Sequence, residues 1–251
     1  MGEAAARARR GQYRMMVRLF SLASAAGVVA LLAVGFIHPA SADTVEIAPG
    51  VQVTKRTYSV PGKEQPFFGF AAKTDAQREE DDKFVKALVQ AAGSREKALD
   101  EVVKRGWRAL GSGKYPEAVL RFNQAFLVAP EQSAVYHGFA AIAQLRFGDL
   151  DFAEELFRIA GKQPNPLKML NADYGRVLLV AKRPKEAQPV LEQAVKDTPD
   201  FGDAWINLAH ARFQNGDRDA ACAAADVAMK QRPSSNASVD LVRLRNDAQC
   251  K

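Results

Sequence analysis

Residues 205–233 read WINLAHARFQNGDRDAACAAADVAMKQRP. Two stretches of helical period flank an Asn-Gly-Asp turn, and a proline closes the second stretch. Ala221, Ala225 and Ala228 fall on one face of that second stretch, so a neighbouring helix can approach closely. The same landmarks recur upstream. Ala187, Leu191, Ala194 and Pro199 form one set, and Ala153, Phe157 and Ala160 another, with Pro164 one residue early. Ala118, Phe122, Ala125 and Pro130 form the first. Successive first alanines lie 35, 34 and 34 residues apart. Alanine is abundant here, so an alanine ladder alone would be modest evidence. The prolines in register, with Gly113, Gly148 and Gly216 each five residues before the first alanine, make the repeat decisive.

These landmarks resemble the tetratricopeptide repeat, whose pattern of Trp, Leu-Gly, Tyr, Ala, Phe, Ala and Pro runs over 34 residues. The resemblance covers residues 99–233. It implies an all-α fold, a right-handed superhelical solenoid of about four helix-turn-helix units. Glycine permits each turn, proline ends each second helix, and a single pair cannot bury its apolar face, so neighbours stack. Three departures stand out. Arg105-Gly106 replaces the usual Leu-Gly in unit one, and unit two needs an extra residue, expected near Glu131-Gln132. Unit three carries Pro184 and Pro189, the latter inside its second helix, where it should kink that helix or delay its start.

In repeats of this type the first helix of each unit lines the concave face. That register places Lys104, Trp107 and Arg108 in unit one, and Phe139, Ile142 and Arg146 in unit two. Unit three offers Asp173 and Arg176, and unit four Asn207, His210 and Phe213. Trp107, Ile142 and Phe213 suit inter-repeat core as well as groove. The candidate partner-binding set is therefore Lys104, Arg108, Phe139, Arg146, Asp173, Arg176, Asn207 and His210. Its mixture of aromatic, cationic and polar groups suits an extended peptide or protein segment, read by apolar anchors and backbone hydrogen bonds. The family's chaperone-binding clamp wants Asn where Asp173 stands, so that function is not transferred.

Both ends differ from the repeats. Residues 234–251 read as a C-terminal capping helix, with Val239, Leu241, Val242 and Leu244 expected to face inward and Arg243, Arg245, Asn246 and Asp247 to stay wet. Running antiparallel to the last repeat helix, it would return Cys250 towards Cys222. A disulfide there and two separate thiols are both open. Residues 43–73 are an extended segment with Pro49, Pro61 and Pro66 and the run Pro66-Phe67-Phe68-Gly69-Phe70. This segment either covers the exposed face of the first repeat or lies in the superhelical groove until a partner displaces it. Residues 74–98 form an N-terminal helical cap that opens with the capping box Thr74-Asp75-Ala76-Gln77 and restarts after Gly93-Ser94.

The chain has 251 residues, 47% hydrophobic and 25% charged, an ordinary globular balance. Its net charge of +6 is concentrated at the start. Residues 1–42 hold five arginines and one glutamate, which leaves 30 basic and 28 acidic residues beyond them and removes the main support for nucleic-acid binding. Those arginines precede the apolar run 19–37 and the triplet Ala40-Ser41-Ala42, the order of a signal peptide cleaved after Ala42. The expectation is a periplasmic or secreted protein, attached to membrane only if the segment stays uncleaved.

Catalysis needs a nucleophile with its base, a carboxylate pair or a metal cluster. His137 and His210 belong to no ligand-spaced pair, and no G-x-S-x-G, Walker loop or G-x-G-x-x-G occurs. Gly111-Ser112-Gly113-Lys114 precedes a repeat helix instead of following a strand, so it reads as a turn. Glu79-Glu80-Asp81-Asp82 falls at the front of a helix, where acids complement the dipole. No catalytic residue, metal or cofactor is assigned. The signal, the Phe-rich segment and Arg121-Phe122-Asn123-Gln124-Ala125 together look like bacterial envelope repeat proteins. The expected role is a non-enzymatic adaptor or scaffold with a protein or peptide partner. The rival is a ligand- or glycan-binding accessory subunit of an envelope enzyme complex. A homodimer through an uncapped end is also open.

Overall fold

A computed structural model describes residues 43–231 and 235–251. The signal-peptide reading of 1–42 and the Pro233 landmark lie outside the described residues. A hairpin of β1 (Thr44–Ala48) and β2 (Val51–Thr54) comes first. Helices α1 (Asp75–Ala92), α2 (Arg95–Gly111), α3 (Tyr115–Val128), α4 (Ser133–Ile142) and α5 (Leu150–Lys162) follow. Then come α6 (Leu170–Val180), α7 (Pro184–Asp197), α8 (Gly202–Gln214), α9 (Arg218–Lys230) and α10 (Ser235–Ala248). Among the described residues no helix is long and apolar enough to cross a membrane.

The helices pair as α2–α3, α4–α5, α6–α7 and α8–α9, giving four helix-turn-helix units stacked as a solenoid. Each second helix also meets the next unit's first helix, and α2 touches α4 as α6 touches α8. First helices therefore stand side by side. Ahead of them α1 begins with both hydrogen bonds of the Thr74–Gln77 capping box and stops at Gly93, whose φ is +85°. Its Val85, Leu88, Val89 and Ala92 pack on Ala98, Val128 and Ala129, covering the end of unit one.

The turn inside each unit shows how sequence sets local geometry. Gly113, Gly148 and Gly216 all adopt positive φ. In unit three the same place is held by Lys182, which is forced to φ +59°, a conformation that costs a residue with a Cβ about 1–2 kcal/mol. The second helices then start in one of two ways. Asp149 and Asp217 accept from the backbone N–H three residues on, each at 3.0 Å. Units one and three instead place proline in the first turn. Helix α7 starts at Pro184 and runs unbroken past Pro189 to Asp197, so the expected delayed start does not occur.

The extra residue of unit two is not in the loop at Glu131-Gln132. The Tyr136 hydroxyl donates to the Pro130 carbonyl as Trp205 Nε1 donates to that of Pro199, six residues back in both units. The units are thus in register up to Tyr136. Helix α4 then widens over Ala143–Phe147 into a π-type turn, ended by Gly148, which absorbs the surplus residue.

Packing divides into two clusters. Phe122, Tyr136, Phe139, Phe152 and Phe157 dominate the first, around α2–α5. Leucines and alanines such as Leu178, Leu191, Leu208 and Ala225 fill the second, around α6–α10. Close approach is needed in both. A Cβ at Gly138 would stand 2.2 Å from the Phe122 ring, and one at Gly175 would stand 2.3 Å from Leu191 Cγ. At the C-terminus Leu241, Leu244 and Ala248 are buried, but Val239 and Val242 are largely exposed. The expectation that all four apolar residues face inward is corrected here, because a 3.6-residue period puts 241, 244 and 248 on one face and 239 and 242 off it. Cys222 of α9 is disulfide-bonded to Cys250, with their Cα atoms 5.4 Å apart.

Residues 43–73 form a strap that lies outside the groove and covers the outer face of the first repeat in part, with Phe67 against Phe126 of α3. It crosses the second helices α3 and α5, while covering the end of unit one falls to α1. Val53 and Phe67 are buried in the first cluster. The Thr54 amide donates to Glu155 of α5, and the Tyr58 ring stacks on Phe147 at 3.7 Å. Tyr58 also donates to Asp149, and burial followed by that carboxylate holds its phenol well above the ordinary pKa, so it stays a neutral donor.

Candidate functional site

A row of side chains crosses the first helices of all four units. On α2 the half-buried Trp107 meets the His137 ring of α4 edge-on, with centroids 4.9 Å apart. His137 is fully buried, and its Nε2 lies 2.9 Å from Asp173 Oδ2 on α6. The other carboxylate oxygen of Asp173 stands 3.6 Å from Arg176, whose side chain is 44% exposed. On α8 Asn207 donates to the Ala172 carbonyl of α6 at 3.3 Å. Two buried polar atoms in this row, Trp107 Nε1 and His137 Nδ1, have no hydrogen-bond partner among the described residues. An open cleft of about 480 Å³ lies between α2 and the turns before α4 and α6. Leu99, Val103 and Leu167 give it apolar walls, and Glu96, Asp100 and Glu131 an acidic rim.

The eight candidate residues do not all belong to this row. Asp173, Arg176 and Asn207 are joined in it as described. Lys104 and Arg108 are exposed on α2, and Lys104 bonds Asp100, first the hydrogen bond and then the charge raising its ammonium pKa. Phe139 is corrected from groove to core: it is fully buried against Phe67 and Phe122. Arg146 is a correction too, since its guanidinium is already held by the Glu64 carboxylate at 2.7 Å and the Glu64 carbonyl at 3.0 Å. His210 is half-buried beside α10, where burial lowers its pKa against the opposing pull of Asp240 and Asp247. It serves the junction of α8 with the cap. Of the three residues open between core and groove, Ile142 is buried core, while Trp107 and Phe213 are partly exposed.

Models of the tetratricopeptide repeat match residues 103–165 and 178–243. The chain is a tetratricopeptide repeat protein. A solved structure concerned with pilF of Pseudomonas aeruginosa shares 20% identity at a TM-score of 0.54, covering 62% of this chain and 71% of that one. A chain of the APC/C hetero-tetramer Cut9-Hcn1 shares 15% at 0.53, covering 68% and 33%. Both are likenesses of fold. No curated protein matches the chain.

Sequence reasoning missed two residues of this tetratricopeptide solenoid. His137 was set aside for lacking a ligand-spaced partner, yet the stacking of units brings Asp173 to it from 36 positions away. That separation is close to one repeat, which is the signal that could have found the pair. Asn123 stands in the sequence only as a member of the run Arg121–Ala125, but it is fully buried and holds the strap. A polar side chain beside Phe122, on the face that packs inward, was the available clue. Among the described residues no group of three His, Cys, Asp or Glu could hold a metal ion. The row brings an aromatic edge, polar groups and charges together along adjacent helices.

Proposed function

We propose that this protein is an adaptor of the bacterial cell envelope that holds a protein or peptide segment along the inner row of its first helices. The observation that carries the reading is the row from Trp107 through His137, Asp173 and Arg176 to Asn207, which links the first helices of all four units. A segment lying on this row meets the half-buried Trp107 ring and the partly exposed Asp173 and Arg176. The exposed cations Lys104, Arg108 and Arg176 flank the row and add charge-assisted bonds to backbone carbonyls or carboxylates. The envelope reading is supported by the order of elements in 1–42 and by the Cys222–Cys250 bond, which suits an oxidising compartment.

The test is affinity capture from envelope extract with residues 43–251 as bait, beside a variant carrying Lys104→Ala, Arg108→Ala and Arg176→Ala. All three side chains are substantially exposed, so the fold should survive. A protein retained by the first bait and lost by the second is the expected result. Equal retention by both would place the partner elsewhere on the molecule and contradict the inner-row assignment.

A further inference from the structure

The strap is held as a peptide ligand is held. Its backbone, more than its side chains, is what the solenoid grips. Asn123 of α3 donates through Nδ2 to the Gln65 carbonyl at 2.9 Å and the Lys63 carbonyl at 3.3 Å, and its Oδ1 accepts from the Phe68 amide at 3.3 Å. Arg146 donates to the Glu64 carbonyl at 3.0 Å. Within residues 61–70, side-chain contact with the helices centres on two places. Phe67 enters a pocket of Phe126, Tyr136 and Phe139, with ring centroids 5.2, 6.3 and 4.5 Å away. The Glu64 carboxylate pairs with Arg146 at 2.7 Å. Within residues 61–70 only Gln65, Pro66 and Phe67 are buried. One aromatic anchor, one ion pair and clamped backbone make up a peptide-recognition site.

The resident occupant fits this site at a cost. Phe67, Phe68, Gly69 and Phe70 all have φ between +54° and +69°, a left-handed turn that three of those four residues adopt against their Cβ. Strain of this kind persists only where the surroundings impose it, and it clusters at switch segments and ligand clamps. A segment from another protein can place the same anchor and acid without this turn. The strap remains in place because it is tethered, which gives it a high effective concentration.

We propose that the surface of α3, α4 and the wide turn that ends α4, beneath residues 61–70, is a second peptide-binding site for a partner segment of the pattern acid–polar–Pro–Phe, and that residues 61–70 occupy it as a built-in competitor. The site is built from Asn123 and Phe126 of α3, Tyr136 and Phe139 of α4 and Arg146 beyond it, none of them altered in the capture experiment above, so that experiment can fail without touching it.

The probe is the fluorescein-labelled peptide of residues 61–70, titrated into the 43–251 chain by anisotropy. Phe67→Ala in the chain weakens the resident strap and should tighten peptide binding at least about 10-fold over the unmodified chain. Glu64→Ala should give a smaller gain in the same direction. Adding Asn123→Ala to either variant, or replacing Phe67 in the peptide by Ala, should abolish the gain. No gain in a Phe67→Ala chain whose circular dichroism matches the parent overturns the proposal. If Phe67→Ala does not fold, Glu64→Ala leaves the core intact, and absence of a gain there overturns it equally. Concentration-dependent dimers of the unmodified chain, lost in Phe67→Ala, would make a second copy the occupant and also overturn it.

Discussion

Units one and two and units three and four repeat one pattern but close it by different means. In the first pair the landmark after the first alanine is Phe122 or Phe157, and these rings reach into the next unit, Phe122 to Phe139 and Phe157 to Tyr174. In the second pair the same landmark is Leu191 or Ala225, and the helices close on smaller side chains. The first pair is bound on its outer side by a strap that inserts Phe67 among those rings. The second is bound by a covalent tie from α9 to the end of α10. Burying large rings gives more apolar contact per residue than burying alanine. The less aromatic half is thus the one reinforced by a disulfide.

Three perturbations can break or sharpen this contrast. The largest effect is expected at Phe122, which is fully buried between Trp107 and Phe139 and lies against Gly106 and Gly138. Phe122→Ala should cost about 3–5 kcal/mol in chemical denaturation. Leu191→Ala, at the corresponding place in unit three, should cost less than Phe122→Ala, and the reverse order would show that the aromatic half is not the better packed. Next comes the disulfide. Cys250→Ser opens a loop spanning 28 positions and should cost about 2–4 kcal/mol. Hydrogen exchange should quicken in α8–α10 and stay unchanged in α2–α5; equal loss of protection in both halves would mean they unfold as one body. The smallest effect is a gain. Lys182→Gly places glycine where the other three units already have it and should stabilise the chain by about 1 kcal/mol by relieving the left-handed conformation. A loss in thermal unfolding would mean that the lysine makes up for its backbone elsewhere.

The repeat was legible because its causes are local and periodic. Ala118, Ala153, Ala187 and Ala221 mark where helix axes approach, and glycine or proline marks where helices turn or end. The caps of α1 followed from Thr74, Gln77 and Gly93 for the same reason. What stayed hidden depends on pairs far apart in sequence. Nothing near Asn123 says that it bonds Gln65, 58 positions away, and nothing near Arg146 names Glu64. The strap therefore could not be placed, and Arg146 and Phe139 were assigned to a groove they do not line. The surplus residue of unit two was visible as a count, but a helix can absorb it in a wide turn as readily as a loop can. Val239 and Val242 were misplaced because four apolar residues within six positions exceed one helical face.

Partner binding along the first helices, as proposed above, can be tested in cells. The most direct test incorporates a photo-crosslinking amino acid separately at Arg108 and Arg176, beside the inner row, and at Lys185, exposed on the second helix α7. Irradiation in cells should join the same partner to the Arg108 and Arg176 positions and leave the Lys185 position unlinked. Crosslinks from Lys185 with none from Arg108 or Arg176 would contradict it.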